Sequence, residues 1–115
     1  MFLEAIDYFL NYCKEHKKKY KNIYAVPRGG YIVGLYLSHK LNIPMINDKF
    51  LECPEKGKTL ICEDICDEGN ELSKDYYIGC DKFVLIAKNK GNYKVKPITQ
   101  TIVADYYWVV FDWER

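Results

Sequence analysis

The chain has 115 residues, room for one domain and one core, since a domain usually takes about 100 residues or more. Hydrophobic residues make up 49 %, a globular composition that excludes disorder and low-complexity scaffolding. Seventeen Lys/Arg against 16 Asp/Glu leave a formal charge of +1, whereas a dedicated nucleic-acid binder carries a marked basic excess.

The first segment, residues 2 to about 20, places Phe2, Leu3, Ile6, Phe9, Leu10, Cys13 and Tyr20 at three- and four-residue steps, which predicts an amphipathic helix. Its end holds the basic run Lys17 to Lys19, suited to the negative pole of the helix dipole. Ile23 to Val26 is a short apolar run closed by Pro27 and predicts a buried strand. After Gly30, helical spacing returns from Tyr31 to Leu41 through Ile32, Leu35, Tyr36 and Leu37.

Ile43 to Ile46 predicts a second strand, Asn47 to Lys58 a polar connection, and Thr59 to Cys62 a third strand that runs straight into Glu63 and Asp64. Asn70 to Tyr77 is compatible with a helix, Lys82 to Ala87 with a strand, and Tyr107 to Phe111 with a last β-prone run. Short buried strands alternating with helices imply an α/β domain, a mainly parallel sheet flanked by helices, spanning 1–115 as a single unit. Ligands of such sheets bind outside the carboxyl ends of the strands.

The five cysteines, Cys13, Cys53, Cys62, Cys66 and Cys80, are odd in number and form no Cys-x-x-Cys pair. Neither a disulfide framework nor a zinc knuckle follows, and a cytoplasmic setting is expected. Glu4 and Asp7 interrupt the first apolar stretch, and no run approaches the ~18–20 apolar residues of a membrane span, so no membrane or nucleic-acid partner is expected. Eleven Tyr among the aromatics leave room for a plain α/β interaction domain that pairs subunits through aromatic surface.

Two segments at predicted strand ends carry chemistry: Pro27-Arg28-Gly29-Gly30, and Glu63 to Gly69. Paired glycines let backbone amides approach an anion, and the following helix adds its N-terminus; a plain strand-to-helix turn uses the same glycines. Consecutive acids at the end of an apolar strand repel one another unless hydroxyls or a cation such as magnesium are bound. The bland alternative is a solvated acidic turn capping the next helix.

Residues 60–69, Leu-Ile-Cys-Glu-Asp-Ile-Cys-Asp-Glu-Gly, resemble the phosphoribosyl-pyrophosphate loop of type I phosphoribosyltransferases, hypoxanthine- and xanthine-guanine-type enzymes in particular. Arg28-Gly29-Gly30 is similar to that family's pyrophosphate loop, Ala87-Lys88 to its base-binding lysine, and residues 108–114, Trp-Val-Val-Phe-Asp-Trp-Glu, to its terminal segment. The resemblance implies a phosphoribosyltransferase type I-like fold with reduced hood and lid. It also implies transfer of ribose 5-phosphate from phosphoribosyl pyrophosphate to a 6-oxopurine, as in purine salvage, with magnesium, by a homo-oligomer.

On this resemblance Glu63 and Asp64 bind the ribose hydroxyls, with magnesium beside Asp64 and the diphosphate. Arg28, Gly29 and Gly30 hold the pyrophosphate, and Asp67 assists proton movement at the purine N7. Lys88 donates to the exocyclic oxygen of the base, Trp108 stacks on its ring and Val109 reads its edge through the backbone. Glu68, Gly69, Asn70 and Glu71 occupy the 5-phosphate loop, where Glu68 and Glu71 replace the family's two threonines. A carboxylate roughly 5 Å from a phosphate charge costs about 3 kcal/mol at an effective dielectric near 20. An inactive phosphoribosyltransferase-like module binding a nucleotide or a protein is therefore the alternative reading. The connection 47–58 is short for a lid, with Phe50 and Lys56 as its candidate groups.

Overall fold

The computed structural model describes residues 2–46, 57–66, 72, 77–89, 96–104 and 109–111. They form one five-stranded sheet in the order β2-β1-β3-β4-β5, with β1 Asn22–Ala25, β2 Met45–Ile46, β3 Thr59–Cys66, β4 Asp81–Asn89 and β5 Thr101–Ala104. Every neighbouring pair is parallel, as short apolar runs joined by long crossovers require. Helices α1 Phe2–Glu15 and α2 Gly30–Leu41 pack on the same face, where Phe2 meets Tyr36 edge-on at 5.3 Å.

Helix α1 buries Ala5, Ile6, Phe9 and Cys13, the stripe that three- and four-residue spacing turns toward the sheet. Phe9 lies 4.5 Å from Phe83 of β4, ring centre to ring centre, in a cluster with Ile23, Val33, Leu37, Leu60 and Leu85. Truncating so buried a ring to Ala costs about 3–5 kcal/mol. The helix stops five residues short of the predicted end. Lys17 takes a left-handed φ of 53°, Lys18 N–H donates to the Cys13 carbonyl at 2.9 Å and Lys17 N–H to that of Lys14 at 3.3 Å. These two bonds are the Schellman closure, with lysine where glycine is usual.

The opposite face is covered by Leu72, Tyr77 and Cys80, packed on Tyr24, Val26, Ile61 and Val84. Lys82 Nζ donates to the Tyr77 and Cys80 carbonyls at 3.0 and 2.8 Å, pinning that turn against the start of β4. At the same edge Tyr20 donates to Asp81 at 2.6 Å and Lys18 pairs with it at 3.1 Å. Burial pushes the Asp81 carboxyl up, but the hydrogen bonds from Tyr20 and Lys18 outweigh it and hold the group below the usual aspartate range.

Two further expectations are corrected. β3 runs through Cys66, so Glu63 and Asp64 stand in a strand and not in the loop after it. Residues 109–111 are irregular, and among the described residues the last strand is β5, upstream of the predicted 107–111 run. The predicted 70–77 helix falls outside the described residues except for Leu72 and Tyr77, and so does most of the 47–58 connection. Among the described residues no helix is long and apolar enough to cross a membrane.

Candidate functional site

The order of strands fixes where a site forms. From β1 the chain crosses to β2 on one side, and β3 flanks β1 on the other, so the connections diverge between β1 and β3. That divergence opens a crevice at the carboxyl ends. β1 has four residues and β3 has eight. The last rung between them is Val26 N–H to the Cys62 carbonyl at 2.8 Å. Beyond it β1 turns away through Pro27 to Gly29, while Glu63 to Cys66 continue alongside β4, Glu63 opposite Val84, Ile65 opposite Ile86 and Cys66 opposite Ala87.

Into this crevice both predicted constellations bring residues. A Cβ built at Gly29 overlaps the Asp64 carboxylate, so the glycine turn and the second acid of β3 lie against each other. A Cβ at Gly30 would stand 2.5 Å from the Cys62 carbonyl oxygen and 3.4 Å from the Ala25 carbonyl carbon. Only glycine lets the first turn of α2 sit this closely on the strands. The peptide between Pro27 and Arg28 is cis.

The two carboxylates are oriented by their own strand. Glu63 Oε1 accepts from Asp64 N–H at 3.1 Å, and Asp64 Oδ1 accepts from Ile65 N–H at 2.8 Å. Both residues are half-buried, and the Asp64 carboxylate faces the glycine turn, where a ligand's hydroxyl or a hydrated cation could meet it. Among the described residues no three carboxylate, histidine or cysteine groups gather closely enough to hold a metal by themselves. The Cys62 thiol, fully buried and next to Glu63, is pushed far above the usual thiol range, first by desolvation and then by that charge; it stays protonated and is no nucleophile.

The expected anion cradle is only partly free. Gly30 N–H donates to the Val26 carbonyl at 2.9 Å and Tyr31 N–H to the Arg28 carbonyl at 3.1 Å. The Gly30 amide, expected from sequence to face pyrophosphate, is thus engaged in closing the turn into α2. Arg28 is exposed and makes no ion pair among the described residues. Val26, read from sequence only as a strand end, is the residue that closes the β1–β3 ladder and takes the Gly30 amide.

Lys88 is buried, 7 % exposed, and not a solvated strand-end lysine. It follows Ala87, the last β4 partner of β3, and pairs in register with Val103 of β5. That puts a buried lysine on the strand neighbouring Glu63 and Asp64, at the carboxyl edge of the sheet. Val109 is half-buried against the α-helical cluster. Asp67, Glu68, Gly69, Asn70, Glu71 and Trp108 lie outside the described residues, as do the lid groups Phe50 and Lys56.

No protein-family profile matches the chain, and no curated protein does. Solved structures do. A purine phosphoribosyltransferase from Pyrococcus horikoshii superposes with a TM-score of 0.72 at 24 % identity, over 97 % of this chain and 87 % of that one. Hypoxanthine-guanine phosphoribosyltransferase from Schistosoma mansoni, in complex with IMP, superposes with a TM-score of 0.55 at 17 % identity. This chain is covered to 86 % in that match and spans 61 % of the Schistosoma protein. The all-parallel sheet with its flanking helices is thus a phosphoribosyltransferase type I-like fold.

Proposed function

We propose that this chain is a phosphoribosyltransferase that moves ribose 5-phosphate from phosphoribosyl pyrophosphate to a 6-oxopurine base. The observation that supports it is the meeting of the Gly29 turn with the Asp64 carboxylate in the crevice where β1 and β3 part. A sugar diphosphate needs polar acceptors for its hydroxyls and donors for its leaving group within one cleft. Glu63 and Asp64 would take the ribose hydroxyls, and Arg28 with the Gly29 amide would hold the diphosphate. Lys88, at the neighbouring strand end, would donate to the exocyclic oxygen of the base, with Val109 beside the ring. Asp67 would move the proton at N7 and Trp108 would stack on the base.

Breaking the anomeric C–O bond leaves positive charge on the ribose and negative charge on the leaving diphosphate. Residues fixed before the reaction stabilise both without reorganising. Magnesium fits this donor set, since it is commonly held by one or two carboxylates together with substrate phosphates. Asp64, with Glu63 beside it, would hold the ion against the diphosphate, where it would neutralise developing charge.

A second reading, an inactive module that binds a nucleotide, is favoured by two observations: the Gly30 amide is engaged by Val26, and the sequence has Glu68 and Glu71 where the resembled family's 5-phosphate loop has threonines. Incubating the protein with magnesium, phosphoribosyl pyrophosphate and hypoxanthine, guanine, xanthine or adenine separates the two. Nucleotide and pyrophosphate formation supports the enzyme. Donor-dependent thermal stabilisation with no product from any base supports the module. Exchanging Glu68 and Glu71 together for Thr should tighten donor binding, and weaker binding would overturn the electrostatic argument.

A further inference from the structure

The opposite edge of the sheet carries a second concavity. The last turns of α1 and α2 end beside the starts of β1 and β2, and Lys18 reaches Asp81 at the first residue of β4. Between the two helix ends lies a groove of about 710 Å³, a volume in the range of small-molecule sites, about 300–1,000 Å³. Leu10, Cys13 and Leu41 give it an apolar lining, and Lys14, Lys17, Lys18, Lys19 and Lys40 surround them. Among the described residues no acidic one lines it, in a chain whose formal charge is only +1.

Not all of these lysines are explained by the fold. Lys14 and Lys40 stand in the last turns of their helices, where a cation complements the dipole, and Lys40 also lies 5.6 Å from the centre of the Tyr36 ring. Lys18 is bound to Asp81, the one carboxylate that touches the set among the described residues. Lys17 and Lys19 lie beyond the last turn of α1 and make no ion pair among the described residues. Lys17 moreover holds the left-handed position, φ 53°, that glycine fills at least cost.

We propose that this groove binds a monomeric anionic amphiphile, a single alkyl or acyl chain ending in a carboxylate or a phosphate. The leucines and the lysine stems take the chain, and the ammonium groups take the head by charge-assisted hydrogen bonds. None of the described lining residues is aromatic, so they offer no stacking platform of the kind that single-stranded RNA uses. A bilayer surface is met by a convex amphipathic face, not by a concavity. The site lies at the other end of the strands from the crevice, so it does not depend on the proposed transferase activity.

Isothermal titration of the full chain with decanoate and with decyl phosphate, both below their micelle concentrations, tests this. The expected result is saturable one-site binding, at least about tenfold tighter than that of inorganic phosphate or decanol. Shortening decanoate to octanoate should weaken it by up to about 15-fold, and Lys17→Gln with Lys19→Gln by about tenfold. The tighter of the two ligands identifies the head group. Leu41→Gln, at a half-buried position, should weaken the chain contact, with the melting temperature of each variant confirming that it folds. Equal affinity for decanol, binding indifferent to the lysine pair, or preference for an RNA oligomer or acidic vesicles over the monomers would overturn the proposal.

Discussion

Gly29→Ala isolates the contact on which the crevice rests. Gly29 has φ −60° and ψ −33°, a helical backbone that any residue adopts, so alanine meets no conformational penalty. By restricting the unfolded chain it should gain about 0.4–1 kcal/mol. Its Cβ, however, would overlap the Asp64 carboxylate and stand 2.8 Å from Oδ1. The carboxylate must rotate away and give up the hydrogen bond from Ile65 N–H at 2.8 Å, which for a charged acceptor is worth about 1.5–3 kcal/mol. The net expectation is a loss of about 1 kcal/mol. With Asp64→Ala already in place there is nothing to displace, and the same substitution should instead stabilise by about 0.4–1 kcal/mol. Urea denaturation of the four proteins closes the cycle, with a coupling of about 2 kcal/mol between the two sites. If Gly29→Ala has the same effect in both backgrounds, the glycine turn and β3 do not meet as described.

Lys17→Gly relieves the left-handed lysine at φ 53° and should stabilise the fold by about 1 kcal/mol, raising Tm by roughly 4 °C; an unchanged Tm would remove the claim that lysine is held there at a cost. Asp81, its carboxyl held low by Tyr20 and Lys18 against the opposing effect of burial, contributes stability that is present above the ordinary aspartate range and lost as pH falls through its folded value. Asp81→Asn should therefore flatten the acid limb of a stability–pH curve. Burial, with Asp81 nearby, pushes the Cys13 thiol from 9.0 up to about 11, so its contribution is present below pH 9 and lost as pH rises through about 11. Cys13→Ala should make the alkaline limb shallower, leaving the part due to Tyr20, whose hydroxyl is also raised, first by burial and then by its bond to Asp81.

The buried strands were legible because a parallel strand covered on both faces needs an uninterrupted apolar run, and Ile23 to Val26, Thr59 to Cys62 and Lys82 to Ala87 supply one each. β5 supplies none. It is an edge strand with Ile102 63 % exposed, so its residues carry no two-sided apolar pattern. Val109 and Phe111 showed the reverse, an apolar run that packs against the core without joining a ladder. The end of α1 was misread because its closure uses Lys17, and a lysine in the left-handed region leaves no mark in the letters. The acids and glycines of the crevice were visible as types, and their common location followed from strand order. That Val26 consumes the Gly30 amide could not be read, because backbone partners in a turn depend on its dihedrals and not on side chains.

Glu63 and Asp64 have a structural reason to occur where they do, and that decides which substitution probes their chemistry. Acids are poor strand formers, yet each accepts the N–H of the residue after it, an alternative to the ladder that short polar side chains offer. Asp64 therefore does two things, bonding Ile65 with Oδ1 and facing Gly29. Asp64→Ala removes both and should cost about 1.5–3 kcal/mol of stability, the value of a charged hydrogen bond. Asp64→Asn keeps an amide oxygen for Ile65 and should stay within about 0.5 kcal/mol of the parent while losing the charge. A loss of donor binding in Asp64→Asn at unchanged Tm would then be assigned to the missing charge. Equal destabilisation by Asn and Ala would mean that the carboxylate's charge, and not its bond to Ile65, is what the strand end requires.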